Sequence, residues 1–210
     1  MAKVGVIGAG SWGIALAKLL RTNGNEVTVW SIVEEEVAML RREHEHIDKL
    51  PGVKLPEDVL FTTDLKEAIV GKEFLILAVP SVFTRSTAKS MAGYVTEGQI
   101  IVCVAKGIEE DTLMTISDVT EQEIPCADVA VIPSVREGFG MTGVEALASG
   151  VPVVGSDVQG IREYVIPGKT GYLCDPYDAH QFADAIEKIV NLPSEERAKM
   201  VIACKEKAKE

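Results

Sequence analysis

The sequence predicts a doubly wound α/β fold, in which helices cover both faces of a mainly parallel sheet. Short apolar segments alternate with amphipathic segments from the first residues onward, which is the pattern of consecutive βαβ units. Residues 74–79 are apolar almost throughout, as in a strand that is buried on both faces. A glycine-rich turn at residues 8–13 joins the first predicted strand to the first predicted helix. Together these observations place the chain among open α/β sheets.

The predicted elements follow one another along the chain. Apolar runs predict strands at residues 3–7, 26–30, 59–62, 74–79, 100–104, 128–132, 151–155 and 170–174. Helical spacing predicts helices at residues 12–22, 34–45, 64–70, 86–94, 112–122, 143–149, 161–165, 178–190 and 194–207. Asp64, with Glu67 three residues later, has the spacing of a capping box. Counting strands predicts one sheet of about eight strands in the order 3-2-1-4-5-6-7-8. We expect one Rossmann-like domain over residues 1–210, built from parts 1–126 and 127–210.

Length and composition are typical of a soluble globular protein. The 210 residues are 47% hydrophobic and 25% charged, which excludes a disordered or collagen-like chain. The net charge of −11 argues against nucleic acid or an anionic membrane as partner. The apolar segments are too short to cross a bilayer, and the N-terminus lacks the pattern of a secretory signal. We therefore expect a soluble cytoplasmic protein, either a monomer or an adventitious homodimer.

No residue cluster in the sequence predicts a metal site. The four cysteines lie far apart and form no CxxC pair, which indicates free thiols in a reducing compartment. His44 and His46 lie two residues apart on a predicted helix, so they do not share a face and are poor joint ligands.

The turn at residues 8–13 has the spacing G-x-G-x-x-G in its proper context, between a strand and a helix. Gly8 would make the tight turn, Gly10 would let the backbone approach a pyrophosphate, and Gly13 would let the helix pack on the strand. The free amides and positive dipole end of that helix would bind phosphate. The motif predicts a dinucleotide site, and the alternative is a turn with a structural role alone.

The end of the second predicted strand does not choose between NAD and NADP. An NAD-binding unit usually carries Asp or Glu there. This chain has Ser31 at that point, and its first acid and first arginine beyond it are Glu34 and Arg41. Both cofactors therefore remain open.

Four segments carry a family resemblance: Gly-Ala-Gly-Ser-Trp-Gly-Ile-Ala-Leu-Ala at 8–17, Val-Trp at 29–30, Ala-Val-Pro-Ser at 78–81 and Ala-Lys-Gly-Ile at 105–108. With them, residues 1–126 resemble the nucleotide-binding domain of NAD(P)-dependent glycerol-3-phosphate dehydrogenases. The resemblance implies that Ser11 and Trp12 contact the dinucleotide and that Pro80 lies near its ribose. It also implies that Lys106 lies where cofactor and substrate phosphate meet. Many members of that family have a basic residue where this chain has Ser31.

That family also needs a C-terminal helical domain, which supplies a second lysine as acid/base and most contacts to the substrate. Nothing after residue 126 resembles it. Without it, no group is placed to move the proton that accompanies hydride transfer. We therefore expect no enzymatic turnover, and a cofactor that is bound weakly and is not required for folding.

A different set of motifs begins near residue 128. Pro-Ser-Val-Arg-Glu-Gly-Phe-Gly at 133–140, Glu-Ala-Leu-Ala-Ser-Gly at 145–150 and Val-Pro-Val-Val-Gly-Ser at 151–156 resemble the C-terminal domain of retaining glycosyltransferases. The resemblance implies that Glu137 contacts a donor sugar and that Glu145 holds the nucleotide ribose. The amides of Gly138, Phe139 and Gly140 would then receive a diphosphate.

The two resemblances meet inside one predicted strand. We interpret the chain as an engineered chimera with a residual NAD(P)-binding turn and no complete catalytic site. The alternatives are a purely structural protein with no ligand, a remnant nucleotide-sugar-binding module and a natural recombinant.

Overall fold

The computed structural model describes residues 1–96, 98–105, 109–110, 112, 114, 116–124 and 129–210. Contacts divide the chain into two compact units, Met1–Cys126 and Ala127–Glu210. Each unit has its own sheet and its own hydrophobic core. Within the described part of the chain, no helix is long and apolar enough to cross a membrane.

The first unit contains a five-stranded parallel sheet with the order β3-β2-β1-β4-β5. Its strands are β1 (Lys3–Ile7), β2 (Glu26–Trp30), β3 (Leu60–Thr62), β4 (Phe74–Leu77) and β5 (Ile100–Cys103). Between and after them lie α1 (Ser11–Thr22), α2 (Glu34–Glu43), α3 (Leu65–Ile69), α4 (Ser81–Ala92) and α5 (Ile116–Glu123). The strand order reverses between β1 and β4, which is where open α/β sheets bind ligands.

The pairing register brings three strand ends to one edge of this sheet. Ile7 at the end of β1 pairs with Trp30 of β2 and with Leu77 of β4. Alternation along the strands supplies a core on each face. Val4 and Val6 belong to one buried cluster and Ile7 to another. The apolar segments predicted as strands therefore have the burial on both faces that a parallel sheet requires.

The helix α4 begins earlier than its apolar spacing predicts, at Ser81 rather than at residue 86. Pro80 is its N-cap residue, and proline cannot continue a strand ladder but suits the start of a helix. The chain therefore passes directly from β4 into α4, and the segment of residues 80–83 lies at the carboxyl edge of the sheet.

The second unit contains a three-stranded parallel sheet with the order β6-β7-β8. Its strands are β6 (Ala130–Ile132), β7 (Val153–Ser156) and β8 (Gly171–Cys174). Its helices are α6 (Met141–Ser149), α7 (Gln159–Arg162), α8 (Ala179–Val190) and α9 (Ser194–Lys207). Leu147, Val153, Ile161 and Ile189 are fully buried in its core.

The expectation of one sheet of eight strands is wrong. Among the described residues β5 pairs with β4, β6 pairs with β7, and the ladders fall into two separate sheets. Alternating strands and helices predict parallel pairing but do not specify where a sheet ends. Because each unit buries the apolar faces of its own strands, the core of neither requires a common ladder.

Candidate functional site

The glycine turn between β1 and α1 is held tightly at its two ends. The amide of Gly8 donates a hydrogen bond to the carbonyl of Trp30 at 2.9 Å. Gly8 has a φ of 121°, and a Cβ there would lie 2.7 Å from the carbonyl oxygen of Ala78. A Cβ on Gly13 would collide with the carbonyl oxygen of Gly8. These two positions therefore require glycine, for the reasons that the motif predicts.

Gly10, in contrast, faces open space. A Cβ built on Gly10 would meet no atom of the described chain within 4 Å. Gly10 is the N-cap of α1, and its carbonyl accepts the first helical hydrogen bond, from the amide of Ile14 at 2.9 Å. Within the described residues no side chain caps α1, and its first turn contains no acidic residue. The start of α1 thus presents unpaired amides and a positive dipole end to an approaching anion.

Exposed apolar side chains surround this turn at the same edge of the sheet. Trp12 follows β1 and is 60% exposed, Ile32 follows β2 and is 79% exposed, and Phe83 follows β4 and is 58% exposed. Exposed side chains of this size beside a polar turn are typical of surfaces that receive a ligand. The rings of Trp12 and Phe83 provide flat apolar surfaces on which planar rings can pack.

An ion-pair network fixes the helix that carries Pro80 and Phe83. The guanidinium of Arg85 on α4 donates to Glu109 at 2.6 Å and to Glu123 at 2.6 Å. The hydrogen bond from Arg85 lowers the pKa of Glu109 to about 2. The network joins α4 to α5 and to the segment that follows β5. No sequence pattern predicts this network, because Arg85 and its partners are distant in the chain.

The structure describes all but one of the residues predicted at the dinucleotide turn. Pro80 is exposed at the start of α4, and Ser11 and Trp12 are exposed in the first turn of α1. Ser31, directly after β2, is buried and its hydroxyl donates to Glu36 at 2.7 Å. Lys106 lies outside the described residues.

Two further residues, Lys49 and Glu36, contact this region, and no sequence pattern predicts their role there. The hydroxyl of Ser11 donates to the carbonyl of Lys49 at 2.6 Å, and the ammonium of Lys49 donates to Glu36. Lys49 follows α2 in a segment with no strand or helix pattern, so only the folded chain brings it to the turn. Glu36 belongs to a run of three glutamates, and in the sequence such a run indicates only the favourable start of a helix.

The second predicted site lies at the start of α6 in the second unit. Gly140, with a φ of 80°, is the N-cap of α6. Glu137 is partly buried and accepts a hydrogen bond from the hydroxyl of Ser134 at 3.2 Å. The carbonyl of Gly138 lies against Gly160, where a Cβ would collide with it. Phe139 is 46% exposed, and Glu145 is partly buried within α6.

The side chain of Tyr164 packs against the segment that leads into α6. The ring of Tyr164 lies against Gly140 and Gly143, where Cβ atoms would collide with it, and it meets Phe139 edge-on at 6.2 Å. Tyr164 is 4% exposed, and its hydroxyl has no hydrogen-bond partner among the described residues. Burial, with the nearby charge of Glu137, raises its pKa to about 12. Its hydroxyl therefore stays protonated at neutral pH.

The geometry of the first unit defines a class of protein. A parallel sheet of order β3-β2-β1-β4-β5, with a glycine turn and an open helix start at its switch point, is a Rossmann-type unit. Residues 3–135 match the family model described as NAD-dependent glycerol-3-phosphate dehydrogenase N-terminus. The chain belongs to this family. No group of three or more His, Cys, Asp or Glu that could hold a metal occurs in the described part of the chain.

Individual relatives agree with the family. A glycerol-3-phosphate dehydrogenase (NAD(P)+) of Agathobacter rectalis is 67% identical over 142 residues, which are 67% of this chain and 42% of the relative. One from Fusobacterium nucleatum is 44% identical over 152 residues, 72% of this chain and 44% of that one. A crystal structure of the Coxiella burnetii enzyme has a TM-score of 0.58 at 25% identity, covering 74% of this chain and 46% of that one. The chain thus spans about two fifths of the length of these curated relatives.

A second family model, described as glycosyl transferases group 1, matches residues 110–207. Both resemblances found in the sequence are therefore confirmed, and the two matched ranges overlap at residues 110–135.

The interpretation as an engineered chimera is wrong. Identity of 67% over 142 residues to a bacterial glycerol-3-phosphate dehydrogenase, and structural likeness to another, indicate that the matched part of the chain is a natural sequence of this family. The interpretation assumed that two family signatures in one chain must have been joined by design. The signatures themselves record ancestry and local structure, and they carry no information about how the segments came together.

Proposed function

We propose that the first unit binds NAD(P) at the glycine turn between β1 and α1. The observation that carries the proposal is the geometry at Gly10, whose missing side chain leaves open space above the uncapped start of α1. Backbone atoms lie against Gly8 and Gly13 and leave no room for a Cβ there. Of the three glycines, only Gly10 leaves its backbone open to a ligand. A pyrophosphate approaching Gly10 would meet helix amides and the positive end of a dipole.

The rest of the dinucleotide would follow the carboxyl edge of the sheet. Its adenosine would extend toward Ser31 and Ile32 after β2, and its nicotinamide toward Pro80 after β4. Ser11 and Trp12 would contact the dinucleotide from the start of α1. The relatives are named as dehydrogenases that use NAD(P)+, which supports this class of cofactor. The role of Lys106, implied by the family resemblance, stays a prediction.

We also propose that residues 1–210 bind the dinucleotide without turning over glycerol 3-phosphate. Residues 110–207 match a family model of a different activity. Hydride transfer from an alcohol needs an acid/base group beside the reacting carbon. The sequence after residue 126 contains no segment that resembles the domain supplying that group. The cytoplasmic location and the oligomeric state remain predictions.

The binding proposal is tested by titrating the protein with NADH and NADPH. Energy transfer from Trp12 and Trp30 to the reduced nicotinamide should give a saturable signal, since Trp12 lies within the turn. Gly10→Glu should abolish the signal while leaving thermal unfolding unchanged, because its side chain enters open space and adds a negative charge. Gly93→Glu is the matched control, since a Cβ at exposed Gly93 also meets no described atom within 4 Å.

Two outcomes would contradict these proposals separately. A folded wild-type protein that gives no saturable signal with either nucleotide would exclude the dinucleotide site. Steady NADH production from glycerol 3-phosphate and NAD would instead show that residues 1–210 are catalytically complete. Gly10→Glu serves in that assay as the control for contaminating enzyme, because contaminating activity would survive the substitution.

A further inference from the structure

Two groups donate hydrogen bonds to one carboxylate where β2 ends, and an imidazole lies beside it. We call this set of Ser31, Glu36, His46 and Lys49 the Glu36 cluster. The hydroxyl of Ser31 donates to Glu36 Oε2 at 2.7 Å, and Lys49 Nζ donates to Glu36 Oε1. The amide of Lys49 donates to His46 Nδ1 at 3.2 Å. Nε2 of His46 lies 3.5 Å from Glu36 Oε1 and has no hydrogen-bond partner among the described residues.

Glu36 and Lys49 form an ion pair within the Glu36 cluster. The side chain of Glu36 is 17% exposed and that of Lys49 is 45% exposed. Burial alone would raise the pKa of Glu36, but the hydrogen bonds from Lys49 and Ser31 outweigh it and lower that pKa. Glu36 is therefore ionised at neutral pH and neutralises the ammonium of Lys49.

The cluster spans the distance between the glycine turn and the end of β2. The carbonyl of Lys49 accepts from the hydroxyl of Ser11 in the first turn of α1 at 2.6 Å, while Ser31 follows β2 directly. In a Rossmann unit the adenosine ribose lies between these two places. A carboxylate there accepts a hydrogen bond from the 2′-hydroxyl of NAD, whereas the 2′-phosphate of NADP needs a free cation.

We infer that Glu36 makes this chain select NAD(H) over NADP(H). The inference rests on the proposed function, because it concerns the same bound dinucleotide. Glu36 acts first through its carboxylate, whose oxygens would accept a hydrogen bond from the ribose 2′-hydroxyl. It also occupies Lys49, the cation that a 2′-phosphate would otherwise use. An acid from α2 thus takes the role that Rossmann units usually give to the last residue of the second strand.

The experiment compares NADH and NADPH dissociation constants, measured by energy transfer from tryptophan. Wild-type protein should bind NADH about tenfold or more tightly than NADPH. Glu36→Gln keeps the shape of the side chain but frees Lys49, so it should shift the ratio toward NADPH by about tenfold. Glu35→Gln is the matched control, because Glu35 is exposed in the same turn of α2 and loses the same charge. Its ratio should equal that of the wild type.

A second variant keeps the inference testable if Glu36→Gln does not fold. Lys49→Met leaves the Glu36 charge uncompensated, so it should weaken NADPH binding and further increase the preference for NADH. Equal binding of both nucleotides by the wild type, or ratios unchanged in folded Glu36→Gln and Lys49→Met, would overturn the inference while leaving the proposed function intact. A folded wild type that binds neither nucleotide would overturn both.

Discussion

At the residue scale, Tyr164 is placed at a cost to the stability of the second unit. Its ring fills the space that two glycines, Gly140 and Gly143, leave beside α6. Its buried hydroxyl gains no hydrogen bond from the described residues. A buried polar group without a partner costs about 1–3 kcal/mol. The ring therefore stabilises the loop before α6, while its hydroxyl opposes that effect.

Tyr164→Phe should therefore stabilise the second unit by about 1 kcal/mol at neutral pH. The pH dependence of the free energy of unfolding provides a second, independent test. The folded state raises the pKa of Tyr164 from 10.0 to about 12, so it retains a proton that the unfolded chain releases. Stability of the wild type should fall as the pH rises above 10.0, and the Phe variant should lack this component. Urea unfolding at several pH values measures both effects. An equal loss of stability in the two proteins at high pH would contradict the assignment.

At the element scale, the start of α3 differs from the predicted capping box. Asp64 accepts a hydrogen bond from the amide of Lys66 at 2.8 Å, as an N-cap residue should. Glu67, however, accepts from the hydroxyl of Thr62 at 2.6 Å, and that hydroxyl accepts from the amide of Asp64 at 3.0 Å. Thr62 thus lies between the two partners of the box. The spacing of Asp64 and Glu67 predicted the N-cap residue correctly. The part played by Thr62 depends on the position of β3 beside α3, which the spacing does not show.

Asp64→Ala should destabilise the first unit by about 1 kcal/mol, because α3 would lose its side-chain cap. Asp64→Asn should cost much less, since its amide oxygen can accept the same hydrogen bond. Thermal or urea unfolding of the two variants measures the difference. If both variants lose the same stability, the charge of Asp64 and not its hydrogen bond is responsible.

At the scale of the whole molecule, each of the two units buries its own core. Val6 and Leu75 are fully buried in the first unit, and Leu147 and Ile189 in the second. A ligand stabilises the unit that binds it, by about 2.7 kcal/mol at a concentration one hundred times its dissociation constant. Dinucleotide binding by the first unit should therefore be visible in the unfolding of that unit.

Calorimetry should show two unfolding transitions, and NADH should raise the temperature of only one of them. Leu147→Ala should reduce the free energy of unfolding of the second unit by about 2–5 kcal/mol, because it removes a fully buried side chain from that core. The other transition should therefore move to a lower temperature. The affinity for NADH should not change in this variant. A single cooperative transition, shifted as a whole by both NADH and Leu147→Ala, would contradict the prediction.

Local chemistry explains why much of the first unit was predictable. The spacing of Gly8, Gly10 and Gly13 predicted a strand, a turn and a helix, because the positive φ of Gly8 and the contact of Gly13 with the Gly8 carbonyl both arise within the turn. The strand order of the first five strands likewise follows from right-handed connections between neighbouring segments. The number of strands in one sheet was not predictable, because the end of a sheet depends on which apolar faces are already covered.

The α/β class, the glycine turn with its helix and the two family resemblances follow from patterns of neighbouring residues. The division into two sheets and the contacts of Glu36, Lys49 and Ser11 beside the end of β2 are visible only in the folded chain. The physical reason is the range of the interactions. Backbone conformation and periodic burial act between near neighbours, so a pattern in the sequence records them. Hydrogen bonds such as those to Lys49 join residues that the pattern leaves far apart, and they form only when the chain has folded around its core.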